Sequence, residues 1–199
     1  MKKIIFSILF FFSVTVSFSQ SFMHGAGVGI FVSKTPIVDA TAAFTLTYSP
    51  RFNFLETESF SVSAGIPLNV GISGSYSSNY DSYYGSTTEN TLKVMVNAPL
   101  MINLNMGCGS TKENESRFGF FVGGGFGLHY GDVGKLIKDD YGNEYYNSGY
   151  GTSFGPAGNA GIRLGVGSNM KNIEVRFSFM KGIDDNKISV YGVNALFNF

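Results

Sequence analysis

Few side chains in this chain are suited to acid–base, nucleophilic or metal chemistry. There are two histidines, His24 and His129, and one cysteine, Cys108. The two histidines fall at opposite ends of the pattern, His24 near its start and His129 near the outer end of the fifth segment, so no His-based metal site is predicted. His129, with Asp132 three residues on and Ser153 beyond, is the one place where a base could serve a hydroxyl nucleophile. No His-x-Ser pair accompanies it, and the local alternation turns His129 inward, where a hydrogen-bonded structural histidine is expected. His24 has no partner near it in sequence. Gly25-Ala26-Gly27-Val28-Gly29 and Gly123-Gly124-Gly125-Phe126-Gly127 superficially resemble nucleotide loops, but neither opens a helix, which phosphate cradling requires. Cys108 has no second cysteine to pair with and sits in a turn between Gly107 and Gly109, where it reads as an incidental thiol. Catalytic, cofactor-binding and metal residues are therefore all expected to be none.

What remains is charge and tyrosine. Arg51, Lys93, Arg163, Glu174 and Arg176 punctuate otherwise small, uncharged faces, and they are predicted to form an ionic cluster in which Glu174 is the shared partner. Tyr80, Tyr83 and Tyr84 fall in one Ser/Asn/Gly-rich stretch, 75–90, and Tyr141, Tyr145 and Tyr146 in a second, 131–152. Tyrosine among serine, glycine and asparagine makes adaptable contact surfaces, so these six are candidates for recognition. Asp132, Asp139, Asp140 and Glu144 in the second stretch lack the spacing of an EF-type calcium loop.

The elements that must position these residues are strands. Eight segments alternate with period two: 22–33, 42–55, 60–74, 91–106, 117–130, 153–167, 172–182 and 187–199. In the second, Phe44, Leu46, Tyr48, Phe52 and Phe54 oppose Thr45, Thr47, Ser49, Arg51 and Asn53. Phe121 interrupts the polar face of the fifth. A soluble barrel would show the same alternation with its apolar face inward. Its solvent face would be dense in Lys and Glu, yet the polar face here is Gly, Ser, Thr and Asn, and charged residues are only 14% of the chain. Bulky side chains therefore face lipid and small polar ones a narrow lumen, across strands long enough to cross a bilayer at a tilt. The fold predicted is all-β, an eight-stranded antiparallel up-and-down transmembrane β-barrel. Eight strands leave an interior just wide enough for side chains, so no open pore is expected.

Residues 1–19 read as a signal peptide: Lys2 and Lys3, the apolar run Ile4 to Phe12, and a small-x-small site ahead of Gln20. The barrel domain is then 20–199. Without Lys2 and Lys3 the chain has two more acidic than basic residues, which gives no support for nucleic-acid binding. The longest connections, 75–90 and 131–152, alternate with shorter ones at 56–59, 107–116 and 168–171, which puts the long ones outside and both termini in the periplasm.

The terminal strand carries Tyr191, Val193, Ala195, Phe197 and Phe199 on one face and ends on a bare phenylalanine. This resembles the closing strand of small bacterial outer-membrane barrels of the OmpA/OmpX type, and the Bacteroidota outer-membrane β-barrel or PorT-like families. The resemblance spans nearly all of 20–199 and implies an outer-membrane location, lipid as surroundings, and barrel-assembly machinery that reads Tyr191, Phe197 and Phe199. It implies a structural or surface-interaction role with an unspecified extracellular ligand or protein partner. Because relatives of this kind include lipid-modifying enzymes, an enzyme using His129, Asp132 or Ser153 is the alternative; a non-enzymatic barrel without cofactor is the expectation.

Overall fold

The computed structural model describes residues 21–36, 40–81, 85–111, 114–133, 135–138, 142, 144–147, 149–167 and 171–199, with the backbone course alone over 74–91 and most of 135–147. The signal-peptide segment 1–19 lies outside the described residues. Twelve strands are present: β1 Ser21–Lys34, β2 Thr41–Glu56, β3 Phe60–Gly65, β4 Leu68–Asp81, β5 Gly85–Asn97, β6 Leu100–Gly107, β7 Phe118–Asp132, β8 Lys135–Lys138, β9 Glu144–Asn147, β10 Tyr150–Gly165, β11 Asn172–Lys181 and β12 Ser189–Asn198. Ten of them form one antiparallel sheet that closes on itself where β1 pairs with β12, from Gly25↔Asn198 to Lys34↔Ser189. Because β3 with β4 and β5 with β6 each make one stave, the ring has eight staves, as the alternation requires.

Two staves that look continuous in sequence are broken. Segment 60–74 divides at Ile66-Pro67 and segment 91–106 at Ala98-Pro99. The pairs Gly65↔Met101 and Asn69↔Asn97 put Pro67 and Pro99 opposite one another, and neither has an N–H for the ladder. Asn69 fills part of the gap, its Nδ2 donating to the carbonyls of Pro67 at 3.1 Å and Asn97 at 3.3 Å.

The faces segregate as a membrane barrel demands. Leu46, Ile72, Leu92 and Phe177 are each more than half exposed on the outer wall, whereas Asn53, Asn105, Asn172 and Glu174 are at 0% inside. The inward face is nevertheless less uniformly polar than the alternation suggests. Phe31, Met95, Met101, Phe121, Met180, Val190 and Leu196 also point inward and are buried. Space for the largest comes from glycines across the ladder: a Cβ on Gly192 would lie 2.5 Å from the ring of its register partner Phe31, and one on Gly161 2.6 Å from Phe121.

The start of β1 and the end of β12 lie at one rim, the terminal end, together with the end of β2, the start of β3, residues 108–111 after β6, the start of β7, the end of β10 and the start of β11. At the other rim, the far end, the described parts of the stretch 75–90, expected as a loop, are strand. β4 and β5 stay paired from Ser73↔Lys93 out to Asp81↔Gly85 after each has left its other neighbour, β2 above Ile72 and β7 above Val96. The result is a two-stranded ribbon projecting from the wall. Stretch 131–152 likewise contains the β8–β9 hairpin, a separate two-stranded sheet, between the ends of β7 and β10.

Candidate functional site

The lumen has two differently built halves. In the terminal half, β11 supplies Glu174 and Arg176, β10 supplies Arg163 and β2 supplies Arg51, all inward and all at most 6% exposed. Glu174 is their common partner. Its Oε2 accepts from Arg163 Nε at 2.7 Å and lies 3.6 Å from Arg51 Nη1, and its Oε1 is 2.5 Å from Arg176 Nη2. Asn198 on the last strand donates to Glu174 at 3.2 Å, so the seam strand joins the same group. Three guanidiniums on one carboxylate would be costly in a dry interior. Phe121 offsets part of that cost, its ring lying 4.4 Å from the Arg163 guanidinium carbon and 5.6 Å from that of Arg176. Lys93 stands outside the cluster: near the far rim of β5 it forms an ion pair with Asp132 of β7. The order of charges along the sequence could not separate these two groups, because only the register assigns each cation a depth in the barrel.

The turn after β6 completes this half. Far from being a plain connection, residues 108–111 fold into the mouth of the barrel and are buried. Gly109 O accepts from Arg51 at 2.8 Å, and Ser110 O accepts from Asn53 at 3.0 Å and Ser61 at 2.6 Å. Gly107 and Gly109 have φ of 71° and 66°, which fits the tight reversal in which Gly107 O accepts from the Ser110 amide and Gly109 O is brought to Arg51. Cys108 is part of this stopper, and burial pushes its thiol pKa up, away from a reactive thiolate.

The far half is an apolar stopper of Phe31, Ala43, Met95, Val133, Met180, Ile188 and Val190. Two members, Val133 and Ile188, come from connections outside the strands. His129 is buried here at 0%, flanked in register by Asn97 and Ser153. The expected hydrogen bond is missing: neither ring nitrogen has a partner among the described residues. Ser153 donates instead to Asp184 of the 182–188 connection, whose carboxylate also accepts from the amides of Phe154 and Asn186. Partial burial works to raise the Asp184 pKa, but these donors win and hold it below its usual value. His129 and Ser153 thus form no nucleophile–base pair, and Asp132 is engaged by Lys93. Among the described residues no group of three His, Cys, Asp or Glu could hold a metal ion.

Between the halves lies a cavity of about 20 Å³, bounded by Asn69, Asn97, Asn159, Asn194 and Arg176, room for about one water.

At the terminal rim Phe199 packs on His24 at 4.3 Å between ring centroids and on Phe197 at 6.1 Å, and its amide donates to His24 O at 3.0 Å. His24, without a partner in the sequence reading, is therefore well supplied: its Nδ1 is also 3.4 Å from the Tyr48 hydroxyl. Tyr191 faces outward near the far rim against Phe179. Of the tyrosines proposed for recognition, Tyr83, Tyr84 and Tyr141 lie outside the described residues. The backbone of Tyr80 runs in the projecting part of β4, and that of Tyr145 and Tyr146 in β9, their side chains lying outside the described part.

A closed ring of eight antiparallel staves, apolar outside and filled with side chains, is the fold of small eight-stranded outer-membrane barrels. Solved structures that share the fold include two of bacterial surface proteins. The attachment invasion locus protein Ail of Yersinia pestis superposes with a TM-score of 0.52 at 9% identity, over 90% of this chain and 98% of its own. Neisserial surface protein A does so with a TM-score of 0.51 at 10% identity, over 91% and 98%. At such identities the likeness is one of fold. No protein-family model and no curated protein matches the chain.

Proposed function

We propose that the protein is an integral outer-membrane barrel, closed to diffusion and non-enzymatic, that keeps its termini in the periplasm and serves surface interaction through the hairpins at its far end. The observation that carries this reading is the β4–β5 ribbon, which continues for nine register pairs beyond its last ladder pairs with β2 and β7, with the Lys93–Asp132 ion pair at its base. Beyond that base the ribbon adds no ladder pair to the closed ring, and its tyrosine-, serine- and asparagine-rich sequence suits contact with a partner. The β8–β9 hairpin, in the connection from β7 to β10, brings the backbone of Tyr145 and Tyr146 to the same end. The fold-level likeness to a protein named for attachment and invasion supports the same direction. Filling of the lumen from both ends supports the absence of a pore.

Epitope tags on intact cells test the orientation. Tags within 75–90 should be reached by antibody and tags within 107–116 should not; the reverse pattern would turn the barrel over. Excision of the ribbon should leave insertion and heat-modifiable migration intact while abolishing attachment to a host-cell or matrix surface, and unchanged attachment would leave only the structural role. The outward Phe197–Phe199 pair supports recognition of the last strand by assembly machinery, so deleting Phe199 should lower insertion yield far more than Asn198→Ser.

A further inference from the structure

On the outer wall at the far rim, Lys34 of β1, Ser189 of β12 and Lys181 of β11 are consecutive register partners and form one row across three strands. Both lysines are exposed on the lipid-facing side, and Lys181 Nζ reaches Ser189 Oγ at 2.9 Å. Among the described residues neither lysine has a carboxylate within ion-pair distance. In the 182–188 connection next to them, Asp184 is already held by Ser153, Phe154 and Asn186, and Asp185 and Lys187 are exposed.

The wall beneath this row is hollow. The next outward row, two residues deeper, is Val32↔Tyr191↔Phe179, and the one below it is Ile30↔Val193↔Phe177. These six side chains border a lipid-facing groove of about 630 Å³. On its β10 side the wall falls away, because Gly158 has no side chain and a Cβ there would find only Gly123 O, at 3.7 Å. Two ammonium groups without a carboxylate partner among the described residues, directly above an apolar groove, match the two parts of one amphiphile.

We propose that this face is a binding site for an anionic, phosphate-bearing membrane lipid, with the phosphate held by Lys34, Lys181 and the Ser189 hydroxyl and an acyl chain lying in the groove. The site rests on the transmembrane reading of the barrel. It holds whichever leaflet the far rim meets, since the ligand is defined by phosphate and chain.

The test uses the full mature barrel in phosphatidylcholine nanodiscs carrying spin-labelled phosphatidic acid or spin-labelled phosphatidylcholine, with the immobilised fraction read by electron paramagnetic resonance. The native protein should prefer the phosphatidic acid probe. The double variant Lys34→Ala/Lys181→Ala should lose that preference roughly tenfold, at about one kcal/mol per lysine near the headgroups, partly offset by screening. Lys34→Arg/Lys181→Arg should retain it. Gly158→Leu, which enters open space, should reduce immobilisation of both probes by filling the groove. Inorganic phosphate should not displace the lipid; displacement would mean a phosphate site without a chain site and would overturn the proposal. Equal preference in native and double-alanine proteins would overturn it as well. Heat-modifiable migration of each variant separates these results from failure of the barrel itself: a correctly inserted native protein without preference refutes the site and leaves the transmembrane reading standing.

Discussion

The terminal and far halves of the lumen solve the same packing problem with opposite chemistry. The terminal half is closed by a carboxylate shared among three guanidiniums and by backbone carbonyls of an inserted turn. The far half is closed by seven apolar side chains, two of them from connections. The contrast teaches where each kind of closure is sensitive. An ionic group is sensitive to loss of its central charge, because the three buried guanidiniums are then left without a counter-charge, keeping only bonds to neutral acceptors such as Gly109 O, Asn105 and Ser49. An apolar stopper loses only the contacts of the atoms removed and is indifferent to charge. Glu174 therefore concentrates the stability of its half in one side chain, while the far half spreads it over many.

Substitutions can break this comparison, beginning where the effect is greatest. Glu174→Gln should destabilise the folded barrel by about 3–5 kcal/mol, read from urea titration of heat-modifiable migration in lipid vesicles. A loss below one kcal/mol would mean that the three arginines are hydrated and that the two halves do not differ in kind. Ile188→Ala should cost about 2–4 kcal/mol if the connection residue is a true member of the far stopper. If it costs nothing, the stopper is confined to the strands.

His129→Leu sharpens the contrast with a change of opposite sign. Because the buried imidazole has no partner on either nitrogen among the described residues, an apolar replacement should leave stability unchanged or raise it by about one kcal/mol. The matching change in the other half, Arg163→Leu, should destabilise. A marked loss in His129→Leu would reveal a partner for the imidazole, such as a bound water.

The smallest effect concerns the connection over the far rim. The Asp184 carboxyl has a lower pKa in the folded protein than in the unfolded chain, so the unfolded chain binds more protons as the carboxyl titrates. Docking of 182–188 should accordingly be complete above the ordinary aspartate range and weaken as pH falls through and below it. Ser153→Ala removes one of the donors that depress the pKa and should move this loss to higher pH. Amide hydrogen exchange of 182–188 against pH reads both, and identical profiles for the two proteins would show that Ser153 does not latch the connection.

The strand pattern was legible because a barrel wall separates two environments, and a period of two records that separation in Phe44 to Phe54 or Tyr191 to Phe199 without help from distant residues. Likewise, a lone Glu174 among basic inward positions already identifies the shared partner in the terminal half. Other features left only partial traces. Phe121 was visible as a break in the polar face, and Phe31, Met95 and Met180 stand as bulky residues at inward positions. Their consequence, an apolar stopper, depends on which glycine each one covers, and Phe31 meets Gly192 across 161 residues of chain only once β1 pairs with β12. Tertiary structure alone decided that Lys93 belongs with Asp132 and not with Glu174, that Pro67 and Pro99 face each other, that 108–111 enters the lumen, and that Lys34 and Lys181 share one rim row. The physical reason is common to all four. Alternation fixes which side of the wall a residue occupies, but its height and its neighbours around the ring depend on register and closure, and those are set by pairing between strands far apart in sequence.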